Sequence, residues 1–126
     1  MNTGKIAYRL GAAFYILWGM LHLYAAYISY QLGNGQGDQF VMSKLQQNGW
    51  NLAFISIACI AVAATMNWRN SRLGFWINAI MVSITDIGFV VLILLPGIQT
   101  DLVGPILWLL GLAGTSIGIL RAPSTA

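Results

Sequence analysis

The sequence predicts an all-α integral membrane protein: a four-helix bundle, up-down in topology, that crosses the bilayer four times with N and C termini cytoplasmic. Three observations predict it. Only 7% of the residues carry a charge and 58% are hydrophobic, whereas a soluble domain carries roughly 25% charged residues. The apolar residues gather in four blocks of about 20, long enough to cross a hydrocarbon core of roughly 30 Å. Basic residues fall almost entirely on one side of those blocks. A chain of 126 residues has room for one domain.

The first block, residues 10–30, follows Lys5 and Arg9. It is longer than the 7 to 15 apolar residues of a signal peptide and no A-x-A site follows it, so it reads as a permanent helix. The second, residues 50–68, is bracketed by Trp50 and Trp68, which suit the two membrane interfaces. Arg69 to Leu73 is too short a link for anything but an antiparallel hairpin with the third block, residues 74–95. Pro96-Gly97 closes that helix, because Pro cannot continue the ladder and Gly permits a left-handed turn. The fourth block, residues 102–120, tolerates Pro105 in its first turn, where backbone donors are unpaired anyway. Barrel strands would be about 10 residues long and alternate in polarity, which none of the blocks does.

Orientation follows from the basic residues. Lys5, Arg9, Arg69, Arg72 and Arg121 share one face, which the positive-inside rule assigns to the cytoplasm of a cell membrane, while Lys44, Asp38 and Asp101 share the other. Tyr30 and Trp50 then belong to the outer aromatic belt, and Tyr8, Trp68 and Trp76 to the inner one. The outer segment from Gln31 to Gly49 divides into a turn-prone stretch from Gly33 to Gly37 and a short helix capped by Asp38 and ended by Asn48-Gly49. That helix either lies on the membrane surface or extends the second span along the bundle.

In lipid, helices associate through close backbone approach at small residues and through polar contacts. Gly104, Gly111 and Gly118 recur every seven residues in the fourth span, with Gly114 four before Gly118. Ala12, Gly19 and Ala26 form the equivalent stripe in the first. The stripe of the fourth span serves either internal packing, the favoured reading, or a homo-oligomer.

Ionisable residues inside a bilayer are treated by default as candidate functional sites. His22 lies 13 residues beyond Arg9 and Asp86 lies 14 beyond Arg72 on helices running the same way, so both sit roughly 20 Å from the inner surface. A direct or water-bridged contact between them is expected, with Ser83 and Trp18 each one turn away and Asn78 two turns nearer the cytoplasm, around a small polar pocket. As a structural device the pair is polar glue, worth about 0.6 and up to about 2 kcal/mol. As a chemical one, His22 is the acid or base and Asp86 its orienting partner.

Other chemistry is poorly served. The one histidine and one cysteine supply neither paired haem ligands nor the three or four ligands of a zinc site, so no metal or cofactor is expected. Cys59 reads as a packing residue. The formal charge of +3 comes from six scattered Lys and Arg, whereas nucleic acid needs a clustered basic face. Size and four-helix layout resemble those of several small bacterial membrane families, the DoxX-like proteins among them. That resemblance is one of layout, and no residue role follows from it.

Two functional classes stand. One is a non-catalytic accessory protein or subunit that packs against other membrane subunits. The other is a binding or catalytic bundle for an apolar small molecule such as a quinone or lipid, or a proton relay, built on His22 and Asp86. The scarcity of interior polar residues leans toward the first.

Overall fold

The computed structural model describes residues 2–123. Met1 and residues 124–126, on which the expectation of cytoplasmic termini bears directly, lie outside the described residues. The described chain is all-helical without strands: α1 (Thr3–Asn34), α2 (Gln39–Thr65), α3 (Arg72–Phe89, continued by a π-helical turn Val90–Leu94) and α4 (Val103–Arg121). All four are long and apolar enough to cross a membrane.

Short polar side chains open each helix by accepting from its unpaired first amides. Asn2 accepts from Gly4 N at 3.0 Å, Asp38 from Phe40 N at 2.8 Å and Val41 N at 3.0 Å, Ser71 from Gly74 N at 3.3 Å, and Asp101 from Val103 N at 2.9 Å. Between α2 and α3 a 3₁₀ turn (Asn67–Arg69) leads to Asn70 at φ 58, a left-handed conformation that Asn tolerates. Its side-chain amide reaches Gly118 O, Ala122 O and Pro123 O at 3.2, 3.4 and 3.1 Å. One residue thus makes the α2–α3 turn and ties it to carbonyls at the end of α4.

Helix α1 is the hub, approaching α2 and α4 far more closely than α3 approaches either of them. Glycine makes both approaches feasible. A Cβ on Gly11 would lie 2.5 Å from Thr115 N, and one on Gly114 would lie 2.7 Å from Ala7 O. On the α2 side, a Cβ on Gly19 would lie 3.0 Å from Ser56 O, and one on Gly49 would lie 2.7 Å from Ala26 O. These pairings run antiparallel, so Arg9, the 3₁₀ turn and the end of α4 meet at one end of the bundle, where the Arg9 guanidinium stands 5.6 Å from the Trp68 ring centroid. The core between the helices holds Tyr15, Trp18, Cys59, Ala63 and Val82, flanked by Ile16, Ile55, Met81, Leu107 and Trp108.

The segment from Gln31 to Gly49 differs from its expected form. Helix α1 continues through Gly33 to Asn34, the turn takes only residues 35–38, and α2 runs unbroken through Asn48 and Gly49. No separate surface helix exists; the alternative, an extension of the second span, is what forms. The reason is packing: Gly49 lies against Ala26 and Tyr30, Gly33 against Met42 and Gln46, and Asn48 Nδ2 donates to Ser29 Oγ at 3.1 Å. Residues that stop a free helix here let two helices touch. At the far end of α3, Pro96 has no N–H to offer Leu92 O. The ladder widens, with Leu95 N donating to Val90 O at 2.9 Å and Ile98 N to Ile93 O at 3.0 Å, before Gly97 turns the chain at φ 72.

Two substitutions should move stability in opposite directions. Gly11→Ala drives a methyl into the α4 backbone and should cost about 1–3 kcal/mol. Gly88→Ala meets nothing within 4 Å and should gain about 1 kcal/mol from helix propensity. Unfolding in detergent, followed by circular dichroism, checks both signs.

Candidate functional site

The spacing of α1 sets Trp18 and His22 one turn apart on the same face. Their rings stack at 3.8 Å between centroids with an interplanar angle of 23°. His22 Nδ1 lies 2.8 Å from Trp18 O. A carbonyl oxygen only accepts, so Nδ1 carries a proton and Nε2 is the nitrogen left to gain or lose one. Helix α4 makes room for the ring at Gly104, where a Cβ would stand 3.3 Å from His22 Cε1.

Helix α3 brings Asp86 to this ring pair from across the bundle. Trp18 Nε1 donates to Asp86 Oδ2 at 3.0 Å, and His22 Nε2 faces Asp86 Oδ1 at 3.5 Å. The Asp86 side chain is 0% exposed and that of His22 13%. Oδ1 is buried with no hydrogen bond. The fourfold arrangement of indole N–H, carboxylate, imidazole and backbone carbonyl constrains the proton inventory. If the carboxylate were ionised and Nε2 bare, two lone pairs would face each other in a buried site, an arrangement that costs free energy. One proton between Nε2 and Oδ1 removes that conflict, as imidazolium with carboxylate or as imidazole with carboxylic acid.

The remaining residues singled out in the sequence divide. Ser83 sits one turn from Asp86 on α3 and accepts from Trp108 Nε1 at 2.8 Å, tying α3 to α4. Asn78 is not part of this cluster. Its amide donates to Asn67 Oδ1 at 2.7 Å and to Cys59 O at 3.2 Å, forming a second buried polar group nearer the basic end. Of the small-residue positions, Gly104 packs on His22, Gly111 on Tyr15, Gly114 on Ala7 and Gly11, and Gly118 on Tyr8, while Gly19 packs on Ser56 and Ile60. Ala12 and Ala26 are buried.

Trp108 gives no sign in the sequence of its polar contact, and sequence reasoning also misses Asn67, Asn70 and Gly11. Gly4 and Gly11 repeat at seven residues just as Ala12, Gly19 and Ala26 do. That repeat is the signal for a second contact face on α1.

Two openings in the surface lie outside this cluster. An apolar groove of about 260 Å³ opens between α1 and α2, lined by Leu23, Ala26, Tyr27, Tyr30, Trp50 and neighbours. A narrow crevice lies among Tyr8, Asn67, Asn70 and Thr115. Neither is lined by His22 or Asp86. Among the described residues, no three of His, Cys, Asp and Glu gather as a metal site would require.

Removing the indole donor should be felt. Trp18→Phe keeps the stack but strands Asp86 Oδ2, and should cost about 1–3 kcal/mol. Trp76→Phe, at a side chain 61% exposed, should leave the denaturant midpoint unchanged. Comparison with known proteins found no matching family model, no similar curated protein and no similar solved structure.

Proposed function

We propose that this chain is a small multi-pass protein of the cell membrane and acts as a non-catalytic subunit that packs against other membrane helices. One observation carries the reading: the interior polar side chains make their contacts within the chain, Asn78 with Asn67, Ser83 with Trp108 and Asp86 with Trp18, so what the molecule offers its surroundings is apolar helix surface. On α3 alone, Leu73, Trp76, Ile80, Ile84, Ile87 and Val91 are all exposed, at the spacing of one helix face. The aromatic residues support placement in a bilayer. Tyr24, Tyr27, Tyr30 and Trp50 are exposed toward the turn at residues 35–38, and Trp68 and Trp76 toward the basic end. Five of the six Lys and Arg lie at the end carrying Arg9 and Arg121, which by the positive-inside rule faces the cytoplasm.

The orientation is tested with single cysteines in a Cys59→Ala background. Gln36→Cys should react with a membrane-impermeant maleimide on intact cells, and Thr3→Cys only after permeabilisation. The reverse pattern overturns the topology. The subunit reading is tested with a photo-crosslinking amino acid at Ile84 or Leu92. A discrete adduct with another membrane polypeptide, identified by mass spectrometry, is expected from the α3 face. Adducts with lipid alone, together with a monomer mass from native membranes, overturn the reading.

A further inference from the structure

We propose that His22 and Asp86 form a binding site for a single proton, and that its occupancy fastens the outer half of α3 to α1. The proposal is independent of the subunit reading, since it needs only the contacts within this chain.

The argument begins with how unevenly α3 is attached. Its first half is sewn down: Gly74 lies against Met66, and Asn78 donates to Asn67 and to the Cys59 carbonyl. Beyond Val82 the polar contacts to other helices are Ser83 with Trp108 and Asp86 with Trp18 and His22. No close glycine approach fixes this half. A Cβ on Gly88 would meet nothing within 4 Å, and the segment ends in the widened π turn Val90–Leu94. Docking of this half across the bundle therefore rests heavily on Asp86.

Asp86 is answered on one oxygen only. Oδ2 holds the Trp18 indole N–H, while Oδ1, fully buried and without a hydrogen bond, faces Nε2. Because Nδ1–H is committed to Trp18 O, the interaction at Nε2 changes sign with one proton. With the proton present, N–H meets O, or O–H meets N, and α3 is drawn in. Without it, lone pair meets carboxylate and the contact pushes apart. The stacked Trp18 ring adds attraction for an imidazolium.

Within the four helices no second charge stands beside the pair, and the loop leading into α4 carries Asp101, whose Oδ1 accepts from Val103 N. Helix α2 offers the Cys59 thiol, and α1 itself offers Tyr15. Helix α4 has no titratable side chain before Arg121, and the titratable groups of α3 besides Asp86 reduce to Arg72 at its start. Access is from the outer end. His22 packs on Gly104, in the first turn of α4, directly below the exposed loop of Gln99, Thr100 and Asp101. The sign is fixed by this geometry: the latch holds at lower pH and is released as pH rises far enough to remove the shared proton.

The chain has one histidine, so its imidazole nitrogens are read without ambiguity. Full-length protein labelled with ¹⁵N-histidine in lipid nanodiscs should show Nδ1 protonated at every pH and Nε2 in a protonated or hydrogen-bonded state until the proton is lost. In the same nanodiscs, spin labels at Ile28→Cys and Leu92→Cys, with Cys59→Ala, should move apart by about 2 Å, the size of a helix shift, over that pH range. Asp86→Asn is the decisive variant. Its amide donates to Nε2 and its carbonyl accepts from Trp18 with no proton taken up, so the labels should stay close at all pH. The proposal is overturned by an unprotonated Nδ1, by a label distance that ignores pH while Nε2 titrates, or by an Asp86→Asn distance that follows pH as the native chain does. His22→Gln, which keeps a donor to Asp86, should also abolish the response; a response that survives it overturns the proposal too.

Discussion

Helix backbones in direct contact are the condition on which the rest of this structure depends. Helix α1 touches α4 at Gly11, Gly111 and Gly114 and touches α2 at Gly19, Gly33 and Gly49, in each case where a single added methyl would meet main-chain or side-chain atoms inside van der Waals distance. In the proposed bilayer setting, where there is no hydrophobic drive between helices already in hydrocarbon, such approach supplies the packing that holds them together. It also fixes the rotation of α1. With its two glycine faces occupied, the side chains left to point toward α3 include Trp18 and His22, large groups that fill the wider gap and carry the polar contacts.

A close pair of interfaces and a wide diagonal divide the labour within the bundle. The three helices joined through glycine form a unit with little freedom, whereas α3 is held by individual side-chain contacts. Its polar contacts to neighbouring elements are spread along it at intervals of about one turn: Asn78, then Ser83 and Asp86. Each contact sits where the indole, amide or carboxylate of one helix finds a donor or acceptor on the next. A buried polar group left without such a partner costs more than a made one contributes. Asp86 Oδ1 is one of the buried side-chain atoms without such a partner, with Tyr15 Oη, Asn67 Nδ2 and Asn78 Oδ1, and it is the carboxylate oxygen among them.

Much of the architecture is legible from residue order. Four apolar blocks, the short Arg69–Leu73 link, Pro96-Gly97 and the seven-residue glycine spacing carry enough information to count the helices and orient their neighbours. Depth counting from Arg9 and Arg72 sets His22 and Asp86 at one level, and the structure has them 3.5 Å apart. What residue order does not reveal is tertiary override of local signals. Asn48-Gly49 has the chemistry of a helix stop, and only the neighbouring Ala26 and Tyr30 explain why the helix continues through it. Asn67 falls inside the second apolar block and Trp108 inside the fourth, and neither position shows in sequence that its partner, Asn78 or Ser83, lies on another helix. The pairing of Trp18 Nε1 with the carboxylate depends on the rotation of α1, which the glycines of two other helices decide.

In the bilayer placement proposed above, the unequal helix lengths have a consequence for the surrounding lipid. At 1.5 Å per residue, the 32 residues of α1 reach about 48 Å and the 19 of α4 about 28 Å. A bilayer of uniform thickness cannot match both sides of such a molecule. Lipid beside α4 meets the Gln99–Asp101 loop at a height where lipid beside α1 and α2 still faces Tyr24, Tyr27 and Phe54. The protein therefore imposes a thickness gradient around its own perimeter, relieved by tilting or by thinning the leaflet next to α4. Neighbours whose own hydrophobic span is short on one side fit that thinned sector best, so the bilayer itself ranks the faces of this bundle for company.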